Sequence, residues 1–361
     1  MNRRLAIVLA CMGLTALAGA VPARAHTRAT VMPTAVDSAI LRGTVVDEGT
    51  GEPLPFAVIS IASLGIERFS NDQGQFVLQG LRAGTYRLRV RQLGHSPVEQ
   101  DVVIAEGAVQ VVTVRLPRLM TKLAAMRVSA DWTCETPGRP TMRDDTTTAQ
   151  VFEQIEENAE RLKLLAKSYP FLIDMERRTY ELLGDGPGRL AHVDTFKVFS
   201  SDSKQYQPGK VVVEVRIGRR RESMLKLPTL LDFADRSFQR NHCFIVRGLD
   251  DSSGVSLLRV DFKAARKLKS PDVHGSVYLD PTSFTLRRAD IQLSQIPKGF
   301  PGLRAVTVTT NFVDLRPGLS ITGSINGVNE FTITPKTVVT GTLEQQSPLS
   351  VMFLKARPDG K

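Results

Sequence analysis

The stretch GTVVDEGTGEPLPFA, residues 43–57, sets the pattern for the first third of this 361-residue chain. It reads as a short β-branched strand, a glycine-rich turn and the beginning of a second strand. Further short runs of alternating apolar residues follow, separated by the turn signals Asn71-Asp72-Gln73-Gly74 and Ala83-Gly84. Short strands at this spacing are typical of a sandwich. We therefore expect a small β-sandwich over residues 40–117.

The succession of these motifs resembles the carboxypeptidase regulatory-like domain, which is common at the front of bacterial outer-membrane receptors. The resemblance is carried by five successive turns and their flanking strands, at residues 43–57, 70–76, 81, 84–86 and 94–95. It implies a transthyretin-like, seven-stranded antiparallel β-sandwich without catalytic activity, since the family is named after the peptidases to which the domain is attached. Two residues depart from the family pattern: Asn71, where the family favours Asp, and His95, where it favours an aromatic residue.

The first 25 residues have the composition of a secretory signal peptide. Arg3 and Arg4 are followed by an apolar run and then by Ala23-Arg24-Ala25, which matches an A-x-A cleavage signal. We expect cleavage there, so that the mature protein begins with a short lead-in over residues 26–39. The alternative is lipoprotein processing at Cys11, because the residues before it loosely resemble a lipobox. Either route exports the protein to the periplasm, to the outer membrane or out of the cell.

Two cysteines, Cys134 and Cys243, remain once the signal peptide is removed. An even pair in an exported protein favours a disulfide, because oxidising compartments let such bridges persist. Two unrelated buried thiols are the alternative. A metal site would need further cysteine or histidine ligands at short spacing, and His242 alone does not supply them. We therefore expect a bridge between the two cysteines and no metal.

The second half of the chain combines one helix with many strands. Residues 118–147 are polar and read as a linker, and an amphipathic helix follows from about Thr148 to Ser168. Runs of alternating apolar residues then continue almost to the end of the chain. We expect residues 148–361 to form an α+β domain, with a curved antiparallel sheet backed by one helix. The whole protein is accordingly predicted to be mainly β.

Residue spacing adds two details to this second half. Glu157 and Arg161 form a favourable i,i+4 pair on the helix. The run Gly275–Leu293 reads as a hairpin, and a shift in its apolar phase predicts a bulge near Arg287-Arg288. The architecture is weakly similar to the half-barrel of periplasmic lipoprotein-carrier and sigma-regulator sensor domains.

The sequence lacks three common catalytic and nucleotide-binding motifs. Neither H-E-x-x-H, G-x-S-x-G nor a P-loop occurs, and the five histidines are dispersed without ligand spacing. The acidic pairs Asp144-Asp145 and Asp250-Asp251 lie in polar loops, where carboxylates are usually solvated. We therefore expect no catalytic, cofactor-binding or metal-binding residue, although residues distant in sequence can converge in a fold.

The basic excess lies almost wholly in the second half of the chain. The formal charge of +10 falls to +7 without the signal peptide, and residues 118–361 carry about +8. Export makes nucleic acid an unsuitable partner and favours an anionic surface, such as an envelope protein, lipid head groups or a glycan. The residues that we predict to form this contact are Arg219, Arg220, Arg221, Lys263, Arg266, Lys267 and Lys269. A solvated basic face without a ligand is the alternative.

The function that these features favour is that of a non-enzymatic, exported interaction module of the cell envelope. Its partner would be protein, lipid or glycan, with peripheral membrane contact. One alternative is a carbohydrate-binding accessory protein of the outer membrane, although such sites usually offer aromatic platforms and Trp132 is the only tryptophan. The other alternative is a cryptic hydrolase. A cleft with convergent titratable groups would favour the hydrolase, whereas a cleft lined with apolar side chains would favour lipid carriage.

Overall fold

The computed structural model describes ten stretches of the chain. They are residues 38–119, 132–143, 145–183, 188–200, 206–217, 220–225, 228–252, 254–297, 302–333 and 338–354. The predicted signal peptide, the lead-in up to residue 37, Cys11 and Arg219 lie outside them. The described residues from Ser38 onward belong to one compact unit. Among them, no helix has both the length and the apolar character that crossing a bilayer requires.

Residues 39–116 form the predicted β-sandwich, with seven strands in two sheets. The strands are β1 (Ala39–Asp47), β2 (Val58–Ile61), β3 (Ile66–Phe69), β4 (Gln75–Leu81), β5 (Gly84–Arg91), β6 (Val98–Ile104) and β7 (Val109–Leu116). One sheet has the order β4–β1–β7 and the other the order β3–β2–β5–β6. The alternating apolar side chains meet between the sheets, where Leu41, Ile59, Leu88 and Val114 are buried.

One strand pairing in the sandwich differs from the antiparallel arrangement that we expected. Strand β1 pairs with β7 in parallel, from Ile40 opposite Val109 to Asp47 opposite Leu116. A parallel pair needs a long crossover connection, and the five intervening strands supply it. The pairings of β1 with β4, of β2 with β3 and β5, and of β5 with β6 are antiparallel as expected.

Asp47, the last residue of β1, is a buried centre of hydrogen bonds. Its carboxylate accepts the backbone N–H groups of Gly49 and Thr50 at 2.8 and 2.9 Å, and the Nε–H of Arg118 at 2.6 Å. The Nε2 atom of His95 lies 3.1 Å from the same carboxylate. The Arg118 guanidinium, together with these donors, holds the pKa of the Asp47 carboxyl far below its usual range. The histidine that departs from the family pattern therefore contacts this centre.

We expect Asp47→Asn to remove an acid-sensitive part of the stability. Because the folded-state pKa is lowered, the ionised carboxylate contributes stability that is present above the unfolded-state pKa and is lost as the pH falls toward the folded-state value. Urea unfolding between about pH 6 and about pH 3 should show a smaller loss of unfolding free energy in the variant than in the wild type. Asp72→Asn, at an exposed turn, is the control and should follow the wild type. An equal loss in wild type and Asp47→Asn would contradict this role.

The second half of the described chain contains the predicted long helix and a nine-stranded antiparallel sheet. The elements are α1 (Thr146–Ser168), β8 (Phe171–Leu183), β9 (Arg189–Phe199), β10 (Val212–Ile217), β11 (Arg220–Leu225), α2 (Leu230–Phe233), α3 (Arg236–Gln239), β12 (His242–Asp250), β13 (Leu257–Ala264), β14 (Val273–Leu279), β15 (Leu286–Leu293), β16 (Leu303–Arg316), β17 (Leu319–Ile333) and β18 (Val338–Phe353). The sheet has the order β12–β13–β14–β15–β16–β17–β18–β8–β9, and β10 and β11 form a separate hairpin. The mainly β, α+β prediction is therefore confirmed.

Two short helices, α2 and α3, correct the expectation of a single helix in this half. Thr229 and Asp232 cap α2 reciprocally, and the Asp235 side chain accepts the backbone N–H of Ser237 at the start of α3. Four-residue helices are too short to display an apolar period. Their capping residues, Thr229, Asp232 and Asp235, are therefore the local signal for these two helices in the sequence.

Helix α1 packs its apolar face on the nine-stranded sheet. The Asp145 side chain begins the helix by accepting the backbone N–H of Thr148 at 3.1 Å, and Pro170 follows the C-terminal end. Val151 and Ile155 are fully buried in the same apolar cluster as the sheet residues. The prediction of a helix packed on a sheet is thus confirmed, with a start two residues earlier than expected.

The β14–β15 hairpin has the bulge that the sequence predicts. Tyr278 pairs with Arg288, whereas the next residue, Leu279, pairs with Leu286. Arg287 is therefore the extra residue on β15, and the apolar side chains on either side of it keep their inward phase.

The predicted Cys134–Cys243 disulfide is present, with its Cα atoms 5.4 Å apart. It fastens the segment of residues 132–143 to β12, which is an edge strand of the nine-stranded sheet. In the same segment the Gly138 N–H donates to the His242 carbonyl oxygen at 3.0 Å, so the segment lies along this strand edge. The predicted boundaries at residues 117/118 and 147/148 stay predictions.

Candidate functional site

An apolar cavity of about 330 Å³ lies between helices α1 and α2 and the inner face of the nine-stranded sheet. Its walls come from α1, β8, β9, α2, β15, β16 and β17. The lining residues are Leu162, Ala166, Phe171, Ile173, Val198, Phe199, Ser200, Pro228, Thr229, Leu230, Leu231, Phe233, Ala289, Ile291, Thr310, Phe312, Ile321, Thr322 and Ile325. The volume falls at the lower end of the range that small-molecule sites occupy.

The chemistry of this cavity suits an uncharged, apolar guest. Within the described residues its lining contains no charged side chain, and the polar groups are the hydroxyls of Ser200, Thr229, Thr310 and Thr322. The Ser200 hydroxyl oxygen already accepts the backbone N–H of Phe171 at 3.0 Å. Burying a charge without a partner is costly, so these walls favour hydrocarbon and exclude a charged head group.

The opposite side of α1 contacts the sandwich through charged residues, here called the seam cluster: Glu67, Arg91, Glu157, Glu160 and Arg161. Arg91, at the end of β5, lies 2.8 Å from Glu67 and 2.9 Å from Glu157, and also pairs with Glu160. The Arg161 guanidinium is 1% exposed and lies 4.0 Å from Glu157. The seam cluster therefore joins the sandwich to the helix that forms one wall of the cavity.

Burial controls the electrostatics of the seam cluster. Burial raises the pKa of the Glu157 carboxyl, against the opposing effect of Arg91 and Arg161. Burial also disfavours the charged form of Arg161 and lowers the pKa of its guanidinium to about 10. The Arg161 Nε–H donates to the Gly318 carbonyl oxygen at 2.8 Å, whereas its two Nη atoms have no hydrogen-bond partner among the described residues. The charges of Glu157 and the two arginines therefore depend on one another.

The outer face of the sheet carries a polar network. The Asp261 carboxylate accepts hydrogen bonds from Arg247 at 2.8 Å, from Arg259 at 2.7 Å and from Ser276 at 2.7 Å. These three donors hold the pKa of Asp261 below its usual range, although burial opposes them. The network is internally paired, which is typical of a structural role on a sheet face.

The aromatic rings on this outer face are covered by cations. The Trp132 ring centroid lies 5.5 Å from the Lys263 Nζ atom and 5.8 Å from the Arg247 guanidinium carbon. The Tyr278 ring centroid lies 4.0 Å from the Arg288 guanidinium carbon. A glycan platform needs an open ring face, so these contacts give no support to the carbohydrate-binding alternative.

His242, Asp272 and Tyr206 form a deeply buried cluster of titratable side chains. The Tyr206 hydroxyl donates to Asp272 at 2.7 Å, and the His242 ring nitrogens lie 2.9 and 3.1 Å from the carbonyl oxygens of Phe238 and Val273. His242 and Asp272 are both 0% exposed. A substrate cannot reach these groups in this arrangement, so the cluster gives no support to the hydrolase alternative. No three His, Cys, Asp or Glu side chains of the described residues could together hold a metal ion.

The predicted anionic-surface residues lie in two regions. Arg220 and Arg221 belong to strand β11, whereas Lys263, Arg266, Lys267 and Lys269 lie at the end of β13 and in the following loop. The Lys263 Nζ donates to the Trp132 carbonyl oxygen at 2.8 Å, and Arg266 pairs with Glu135 at 3.0 Å. Lys267 and Lys269 are exposed. The role of these residues in binding an anionic surface stays a prediction.

Fold and site together define a β-sandwich joined through one helix to an antiparallel sheet that encloses an apolar cavity. Residues 40–117, about a fifth of the chain, match the family model of the carboxypeptidase regulatory-like domain. The resemblance read from the sequence motifs is therefore confirmed for this part, and the match identifies no enzyme family. No curated protein sequence matches the chain.

Among solved structures, the C-terminal part of the chain resembles two bacterial proteins in fold. One is a DUF1329 family protein from Desulfovibrio piger, at 10% identity and a TM-score of 0.32. The other is a domain from Vibrio parahaemolyticus that is described as belonging to an outer membrane lipoprotein-sorting protein, at 12% identity and a TM-score of 0.30. Each alignment covers 58% of this chain and 95% of the other. A minor pilin from Streptococcus agalactiae is 20% identical, with a TM-score of 0.21, over 25% of this chain and about half (48%) of the pilin.

Proposed function

We propose that the protein is a non-enzymatic binding protein of the bacterial cell envelope, which holds the hydrocarbon chain of a ligand in the cavity under α1. The observation that carries the proposal is the uncharged, apolar lining of that cavity. Its volume suits a single alkyl chain of medium length rather than the several chains of a larger lipid. The Cys134–Cys243 disulfide supports a location outside the cytosol, where such bridges persist.

The non-enzymatic part of the proposal is supported by the kind of groups near the cavity. Nucleophilic and acid–base catalysis need a nucleophile and a base within hydrogen-bond reach of each other. The cavity walls offer four hydroxyls and no histidine or amine among the described residues, and one of these hydroxyls, that of Thr229, donates to the Asp232 carboxylate at 3.0 Å. The Asp232 carboxylate is buried and also accepts the backbone N–H groups of Thr229 and Tyr206, so its contacts are those of a cap on helix α2. The walls can therefore bind hydrocarbon, and the carboxylate next to the Thr229 hydroxyl is engaged in holding the backbone.

Filling the cavity should weaken ligand binding. We expect the wild-type protein to bind dodecanol, and Ala166→Trp to weaken this binding by about tenfold or more, because the indole occupies the space of the alkyl chain. Isothermal titration calorimetry measures the affinity, and a negative heat-capacity change marks apolar burial in the wild type.

The control for this experiment is Ala105→Trp, which adds the same side chain at an exposed position after β6. It should bind dodecanol as the wild type does, and thermal unfolding should show that both variants are folded. A wild-type protein that does not bind dodecanol would overturn the proposed function. So would an Ala166→Trp variant that is folded and binds with unchanged affinity.

A further inference from the structure

We infer that the ligand is an anionic amphiphile, whose chain enters the cavity and whose negatively charged head group contacts Lys163 and Lys167 outside it. This inference rests on the proposed function and names the chemical class of its ligand. A head group that is charged must stay outside the cavity, because the described walls contain no charge to pair with it.

The lysines lie directly beside the cavity wall on the same helix. Lys163 follows Leu162 and Lys167 follows Ala166, and both Leu162 and Ala166 line the cavity. Consecutive residues of an α-helix are about 100° apart, so each lysine lies on the face adjacent to the wall. The two lysines are four residues apart and therefore neighbours on one exposed strip of α1.

The acidic residues of α1 are already paired, whereas these two lysines have no ion-pair partner among the described residues. Arg139 pairs with Glu153 and Glu156, and Arg91 of the seam cluster pairs with Glu157 and Glu160. No described carboxylate lies within ion-pair distance of Lys163 or Lys167. The C-terminal half of α1 therefore presents two uncompensated positive charges to solvent.

The exposed part of the cavity lining marks where a ligand can enter. Phe199 and Thr229 are exposed, and Ala166 and Ser200 are half-buried. Ala166 immediately precedes Lys167. A chain that enters here leaves its head group at the level of the lysines, where a carboxylate or phosphate can form charge-assisted hydrogen bonds with an ammonium group.

The test compares two probes with the same chain and different head groups. We expect the wild-type protein to bind dodecanoate about fivefold more tightly than dodecanol at about pH 8, where the carboxylate is ionised, because two exposed ion pairs each contribute little. The double variant Lys163→Gln/Lys167→Gln should lose this preference while its affinity for dodecanol stays unchanged. A purely structural role of the lysines would leave the ratio of the two affinities unaltered.

The matched control is Lys267→Gln/Lys269→Gln, which removes the same charge from the exposed loop after β13. It should keep the preference for dodecanoate. A third probe, a lysophosphatidylglycerol with a twelve-carbon chain, distinguishes the source of the anion, since tighter binding than dodecanoate indicates a single-chain phospholipid and weaker binding a fatty acid.

The outcomes separate this inference from the proposed function. Equal wild-type affinities for dodecanoate and dodecanol would overturn the inference and leave the proposed function standing. The inference would also fail if the control lost the preference as fully as the Lys163/Lys167 variant, since the effect would then be one of net charge. A wild-type protein that binds neither probe would overturn both.

Discussion

Replacing Glu157 alone, by Gln, should lower the free energy of unfolding by about 3–5 kcal/mol, because the cost of leaving the buried Arg161 guanidinium without a counter-charge exceeds the gain from no longer burying the carboxylate. The carboxylate lies between Arg91 and Arg161, which both lose their common counter-charge in the variant. The side chain of Glu157 is 9% exposed, so water cannot replace it. Urea unfolding at neutral pH measures the change.

The control for this prediction is Glu160→Gln in the same cluster. Glu160 also pairs with Arg91, but its side chain is 50% exposed, so its loss should cost less than about 1 kcal/mol. Replacing Glu157 by Leu and Arg161 by Met in the same protein should recover much of the stability. In this double variant the buried guanidinium that lost its counter-charge is itself removed. If Glu157→Gln and Glu160→Gln had equal effects, the buried seam cluster would not be coupled as described.

Opening the Cys134–Cys243 disulfide is the change with the second largest expected effect. The bridge joins residues 109 apart in sequence, and removing a native disulfide that closes so long a loop should cost about 2–5 kcal/mol. The double variant Cys134→Ser/Cys243→Ser should therefore unfold at a lower urea concentration than the wild type. Hydrogen exchange should also accelerate in β12, which the bridged segment contacts.

A reducing agent supplies the control for the disulfide prediction. Dithiothreitol should lower the stability of the wild type to that of the double-serine variant, and it should leave the variant itself unchanged. A wild type whose unfolding midpoint does not respond to reduction would show that the bridge contributes nothing to stability.

The parts of the fold that could be predicted are those that local spacing specifies. The alternation within residues 40–117 predicts strands, and the apolar period of α1 predicts a helix packed on a sheet. The bulge at Arg287 could be predicted because a change of inward phase within one strand is also local. The parallel pairing of β1 with β7 could not, since it joins the two ends of the sandwich.

The candidate site could not be predicted from local sequence, which indicated only that an apolar cleft, if the fold formed one, would favour lipid carriage. Its walls come from seven elements, each of which contributes one to three ordinary apolar residues, so no local motif marks it. The Glu157–Arg161 pair shows the same limit. Its spacing predicts a favourable helical pair, but only the folded chain shows that the sandwich covers it. Which face of a helix a distant module covers depends on packing over long sequence separations.

Helix α1 has neighbours on two sides, and this fixes its rotational phase. Glu157 and Arg161 face the sandwich, whereas Leu162 and Ala166 face the cavity. Inserting one residue between these two groups would rotate one set against the other by about 100° and shift it by about 1.5 Å. The helix can therefore change through paired substitutions during evolution, but its length between these contacts can hardly drift. The sandwich and the cavity, although built from separate parts of the chain, must for this reason evolve together.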